Sequence, residues 1–186
     1  MRIYAQSARI SKRMLVILGN QLFPLRYLPP PGSTPVFMAE DVGLCTYERH
    51  HQQKIVLFLA AMRAYADELR AAGYTVHYVE LDTNDTRNYE DKLAAALTDG
   101  GTQTLLHFEI EDKAMEQRIT EFADSCNFVR EELASPMFTC SRQQFSDFAS
   151  GKKRLLMADF YKQQRRRLNV LVDDCLLYTS PSPRDS

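Results

Sequence analysis

Five consecutive apolar residues, Met14 to Leu18, stop at Gly19-Asn20-Gln21, and this stretch constrains the fold more than any other. It is too short for a comfortable helix and carries the β-branched Val16 and Ile17. A strand with no polar alternation needs cover on both faces, the condition of a parallel sheet. In open α/β sheets ligands bind outside the carboxyl ends of the strands. Gly19 is therefore the expected start of a ligand crevice.

The rest of the chain repeats this grammar. Phe23 to Gly32 holds Pro24, Pro29, Pro30 and Pro31 and must be a loop. Short apolar runs at Pro35–Ala39, Thr75–Glu80, Thr104–Ile110 and Phe128–Glu132 predict four further strands, the last at an edge. Between them the spacing predicts a long helix from about Tyr47 to Ala72, striped by Ile55, Phe58, Leu59, Met62, Ala66 and Leu69, with Gly73 as its cap. Shorter helices follow over Tyr89–Leu97 and Ala114–Cys126. The fold class is α/β: an open, mostly parallel five-stranded Rossmann-like sheet with flanking helices and right-handed crossovers. After Pro136 two helices, Arg142–Ala149 behind Ser141 and about Ala158–Leu171, lack strands between them and look like the entrance to a helical region. Four segments are expected: an N-terminal extension (1–12), the α/β domain (13–135), a linker with the first helices of a truncated helical domain (136–174), and a foreign low-complexity tail (175–186).

Charge is uneven although the net is only -1. The body is acidic, and Lys152-Lys153-Arg154 with Arg165-Arg166-Arg167 makes a basic C-terminal stretch able to contact phosphates through charge, or to serve as a solvated helix face. Cys45, Cys126, Cys140 and Cys175 form no CxxC, and no secretory signal precedes them, so a reduced cytoplasmic setting is expected. No run approaches the roughly 18 apolar residues a membrane span needs. GxGxxG, Walker A, GxSxG and HExxH are all missing, which removes the commonest nucleotide and hydrolase readings.

Acids gather at three strand ends: Glu40-Asp41, Glu80 with Asp82, and Glu109 with Glu111 and Asp112. A rim of carboxylates could hold Mg²⁺ for phosphoryl transfer, or it could solvate loops and cap helices, as Asp112 could. On the long helix, Tyr47 and His51 would share one face and His50 and Lys54 another, offering a ring and a cation to a ligand. Cys45 would lie near that helix's N-terminus, where a thiol pKa could fall, although it has no evident base partner.

With these pieces placed, four stretches together resemble one family. They are Leu15–Leu22; Met38–Asp41 through Thr46-Tyr-Glu-Arg-His-His-Gln-Gln-Lys-Ile55; Ala61–Tyr78; and Gly151-Lys-Lys-Arg-Leu-Leu-Met-Ala-Asp-Phe-Tyr161 with Arg165-Arg-Arg-Leu168. In order and spacing they resemble the N-terminal part of the bacterial photolyase-related proteins, the iron–sulfur group of the cryptochrome/photolyase family. The resemblance implies an α/β antenna domain able to hold a lumazine chromophore, ahead of a helical domain that binds FAD and a 4Fe-4S iron–sulfur cluster. It implies DNA as the full-length partner, with light-driven repair of photolesions, notably the (6-4) type, or blue-light sensing.

Carried over residue by residue, antenna contacts would fall near Gly19, Asn20, Gln21, Ala39, Leu44 and Phe58, with Glu40, Tyr47 and Lys54 close by. Asn20 and Leu44 depart from the pattern, since relatives can carry acids at both places. The flavin pocket and cluster cysteines would lie beyond Asp174, so this chain is expected to be an antenna domain without catalysis of its own. The competing expectations are a stand-alone α/β module for a small aromatic ligand or nucleotide, and the Mg²⁺ phosphotransferase.

Overall fold

The alternation of short strands and helices closes into one sheet in which every strand runs the same way. A computed structural model describes residues 12–170 and 172. Residues 1–11 of the expected extension, Leu171 of the last expected helix, and the 175–186 tail with Cys175 lie outside the described residues. The strands are β1 (Arg13–Val16), β2 (Val36–Ala39), β3 (Val76–Val79), β4 (Thr104–Phe108) and β5 (Val129–Leu133). They lie in the order β3-β2-β1-β4-β5 with all pairs parallel. Chain order reverses around β1, which is the topological switch point of an open α/β sheet.

Pleating divides the core into two layers. Leu15 of β1 and Ile17 just after it, with Val36, Met38, Leu106 and Phe108, pack under helix α2 (Gln52–Ala71) through Met62, Tyr65, Ala66 and Leu69. Met14, Val16 and Leu18, with Phe37 and Leu105, face α3 (Tyr89–Asp99) and α4 (Lys113–Ser125) through Leu93, Leu97, Ile119 and Phe122. β1 is thus covered on both sides, as its unbroken apolar run requires. β5 is one of the two edges, beside β4, and Arg130, Glu131 and Glu132 make it a poor template for further pairing. The proline loop is pinned rather than loose: Tyr65 donates to Phe23 O at 2.6 Å and Tyr74 to Pro29 O at 2.9 Å.

Each crossover helix turns into its strand by the same device. Behind α2, Gly73 sits at φ +89°, with Tyr74 N–H on Leu69 O and Gly73 N–H on Arg70 O, both 3.0 Å. Gly101 and Asn127, also at positive φ, repeat these bonds behind α3 and α4. This Schellman closure satisfies the last carbonyls and fixes where each helix ends.

One expected element starts later. The helix expected from about Tyr47 begins at Gln52 as α2, and a short α1 (Val42–Thr46), capped by Asp41, precedes it. Tyr47 to His51 is a polar run with nothing to bury, and the His51 imidazole accepts from Gln53 N–H to cap α2. Tyr47 and His51 therefore share no helix face. Cys45 ends up in α1 rather than at the start of the long helix, and burial, with Asp41 and Glu40 nearby, pushes its thiol pKa up rather than down.

Two adjacent acids at the end of β2 clamp both layers. The Glu40 carboxylate, itself fully buried, accepts from Arg63 Nε and Nη2 (2.7 and 2.8 Å), Tyr78 Oη (2.5 Å) and Leu81 N–H (2.8 Å). Asp41 takes the buried Lys92 Nζ of α3 at 3.0 Å, and that ammonium also donates to Glu40 O.

Met137 begins a second compact unit. It contains α5 (Arg142–Ala149), opened by a reciprocal Ser141–Gln144 capping box, and α6 (Met157–Leu168). Phe145, Phe148 and Phe160 form its aromatic centre, with ring centroids 5.1–6.4 Å apart.

Gly73→Ala forces a Cβ into the left-handed region and is expected to cost about 1–2 kcal/mol in urea denaturation. For Glu40, burial raises the carboxyl pKa, but the bonds from Arg63, Tyr78 and Leu81 outweigh it and hold it below the usual range. A depressed folded-state pKa gives stability that is present at neutral pH and lost as pH falls through that value. Glu40→Gln is therefore expected to cost about 1–2 kcal/mol at pH 7, Arg63 being half exposed. The gap from the native chain should shrink below about pH 4; a gap constant with pH would contradict the clamp.

Candidate functional site

A helix longer than its strands must overhang the sheet. Twenty residues of α2 span about 30 Å, against about 13 Å for a four-residue strand. The closure at Gly73 holds the C-terminus of α2 at the sheet's amino edge, so its N-terminal half projects past the carboxyl edge. Burial follows suit: Met62, Tyr65, Ala66 and Leu69 are buried, whereas Ile55 and Leu59 are half-buried and Phe58 is 40% exposed.

Beneath this overhang lies a cleft of about 380 Å³. Its back wall is the end of β1 (Ile17, Leu18, Gly19, Asn20) and of β2 (Ala39, Glu40, Asp41). Leu44 and Cys45 of α1 and Ile55, Phe58, Leu59 and Met62 of α2 make an apolar side, and Ile110 and Met115 close the other. Tyr47, His50 and Lys54 stand at the rim, with Asp112 and Arg118 opposite. Gly19 is needed for close approach, since a Cβ there would lie 2.8 Å from Met62 Sδ.

Of the nine residues expected to contact a ligand, Gly19, Asn20, Ala39, Glu40, Leu44, Tyr47, Lys54 and Phe58 all line this cleft. Gln21 does not. It is fully buried, and its amide donates to Glu109 O at 3.0 Å and to Glu111 at 3.3 Å. The Asn20 amide donates to the same Glu111 carboxylate, tying the end of β1 to the segment after β4. Lys54 and His50 meet, with Nζ 3.2 Å from Nδ1, and Tyr47 stacks edge-on against His50 at 5.3 Å.

The strand-end acids are largely engaged within the protein. Glu40 and Asp41 form the clamp, and Asp112 caps α4 by accepting from Ala114 N–H and Met115 N–H at 2.8 and 3.0 Å. Among the described residues no group of three or more His, Cys, Asp or Glu is placed to hold a metal ion.

Sequence reasoning missed the cleft-facing position of Ile55, Leu59 and Met62, because a stripe at helical spacing looks the same whether it meets a core or a cleft. Arg118, paired with Glu90 at 2.8 and 2.9 Å, and Tyr89, the first residue of α3, gave no signal at all. Tyr89 is 1% exposed, and its hydroxyl has no hydrogen-bond partner.

The six basic residues expected at a phosphate surface lie in the second unit, and all but Arg165 are exposed. Arg165 is buried, donates from Nε to Val170 O at 3.2 Å and stands 5.7 Å from the Tyr161 ring centroid. Arg167 donates to Thr139 O and Gln164, and Lys152 lies 3.1 Å over the Phe148 ring. Lys153, Arg154 and Arg166 are exposed. Among the described residues no helix is long and apolar enough to cross a membrane.

Comparison with known proteins places this geometry in context. Residues 15–176 match the family model described as deoxyribodipyrimidine photo-lyase-related protein. The chain is 27% identical over 166 residues to a (6-4) photolyase of Agrobacterium fabrum, covering 87% of this chain and 32% of that protein. The chain thus spans about a third of that relative's length. It is also 28% identical over 172 residues to uncharacterized protein R852 of Acanthamoeba polyphaga mimivirus, covering 87% of this chain and 86% of that one. With the family model matched over most of its length, the chain belongs to the deoxyribodipyrimidine photo-lyase-related protein family.

Proposed function

We propose that the α/β unit is an antenna domain whose cleft holds a planar aromatic chromophore of the lumazine type. The observation that carries this reading is the cleft of about 380 Å³ at the carboxyl edge of the sheet, apolar on its flanks and polar at its rim. That volume and lining suit a small heteroaromatic ring system. Leu44, Phe58 and Met62 would sandwich the ring, Gly19 and Ala39 would let it approach the strand ends, and Tyr47, His50 and Lys54 would meet its polar substituents. When bound, such a chromophore supplies absorption of near-visible light and transfer of the excitation. The protein's part is to orient the ring and exclude water. Glu40 serves the site by position: its four accepted hydrogen bonds hold the floor between β2, β3 and α2.

In the full-length protein this unit would work beside a helical FAD and 4Fe-4S iron–sulfur domain, in light-driven repair of DNA photolesions or in blue-light sensing. The (6-4) type is suggested by the Agrobacterium relative. Lys152, Lys153, Arg154, Arg166 and Arg167, with the buried Arg165 between them in sequence, are the residues proposed to meet DNA phosphates. A reduced cytoplasmic setting accords with Cys45, Cys126 and Cys140 being free thiols. A second reading, a stand-alone module for a small aromatic ligand or nucleotide, is favoured by the mimivirus protein, which the alignment covers over 86% of its length.

A fluorescence titration with a ribityl lumazine tests the proposal. The chain is expected to bind it, Phe58→Ala to weaken binding about two- to tenfold, and Lys153→Ala to leave it unchanged. Binding of a nucleotide but not of the lumazine would favour the second reading. Mg²⁺ is expected to leave the Tm unmoved, and a rise would instead support the phosphotransferase.

A further inference from the structure

Among the described residues lining the cleft, Tyr89 is the one with a buried side-chain polar atom that finds no partner. Its neighbours do not supply one. Asp41 is taken up by Lys92 and by Leu44 N–H, and Arg118 by both oxygens of Glu90. Tyr89, Asp41 and Arg118 all line the cleft. The ring cannot swing away to find water. It packs edge-on against fully buried Phe37 at 6.0 Å, at the first turn of a helix fixed by the Asn88–Asp91 capping box.

A buried, unmade hydrogen bond is a standing penalty that a ligand with the matching group can remove. We infer that the Tyr89 hydroxyl is a specificity donor, recognising a ring carbonyl at the inner end of an aromatic ligand in this cleft. This rests on the chromophore-binding reading above and adds to it the chemical feature the ligand must present. Burial raises the phenol's pKa, so it stays protonated and able to donate throughout the working range. A site built around one such donor discriminates strongly against rings that lack the acceptor, because they leave it unpaired.

Tyr89→Phe removes only the oxygen, and the measurement pairs thermal melting of the unliganded chain with titration by two probes. One is a ribityl lumazine, which carries ring carbonyls, and the other is anilinonaphthalene sulfonate, an aromatic probe with none. The expected result is an unliganded Tm that does not fall, lumazine affinity about tenfold weaker, and equal binding of the carbonyl-free probe. Equal lumazine affinity in both chains would overturn the inference while leaving the chromophore reading intact. A clear fall in unliganded Tm would also overturn it, by revealing a structural bond to the hydroxyl. Failure of the native chain to bind the lumazine would overturn the inference and the reading together.

Discussion

The structure depends on what two adjacent carboxylates do at the end of β2. The backbone at Asp41 is still extended, at φ -142° and ψ 131°. In extended chain, successive side chains leave on opposite faces. Glu40 therefore reaches toward α2 and β3, where Arg63, Tyr78 and Leu81 N–H receive it. Asp41 reaches toward α3 and Lys92. Both anions are buried, and such charges persist only when they are paired and fully hydrogen-bonded. The pairing joins the two helical layers at the edge where the cleft opens, so the clamp sets the cleft's width as well as the fold's integrity.

Much of this was legible in the sequence, and the reasons are physical. β1 declared itself because a continuous apolar run has few other homes, and Gly73 marked the end of α2 because few residues tolerate a positive φ. Eight of the nine expected contact residues line this cleft because they follow strand ends, sit in or beside α1, or sit on α2, and parallel strands bring their ends to one edge. What could not be read was partnership. Arg63 looked like a solvent-facing residue on α2, and nothing local says that it turns back 23 positions to Glu40. Gln21 sits beside two cleft residues in sequence but points into the protein, because a strand end can aim its side chains either way. The break at Tyr47 to His51 escaped notice because helix periodicity is blind to a polar gap that adds no apolar residue out of phase.

The cleft opens at one edge of one sheet. The overhang of α2, a consequence of the mismatch between helix and strand length, turns a core-type stripe into a cleft wall. Leu44 makes the α1 wall apolar, and Asn20 is tied to Glu111. Tyr89, Tyr47, Lys54 and His50 are then the residues proposed to supply polar recognition. In that reading the site would select a flat ring by its faces and one end.

The central claim is that this edge cleft is where the chromophore sits. A crystal structure of the chain grown with a ribityl lumazine tests it most directly. The account predicts ring density between Phe58 and the end of β1, with the inner carbonyl at the Tyr89 hydroxyl and the Glu40–Arg63 pair unchanged. A lumazine seated elsewhere, or a cleft that stays empty of ring density at saturating ligand, would contradict it.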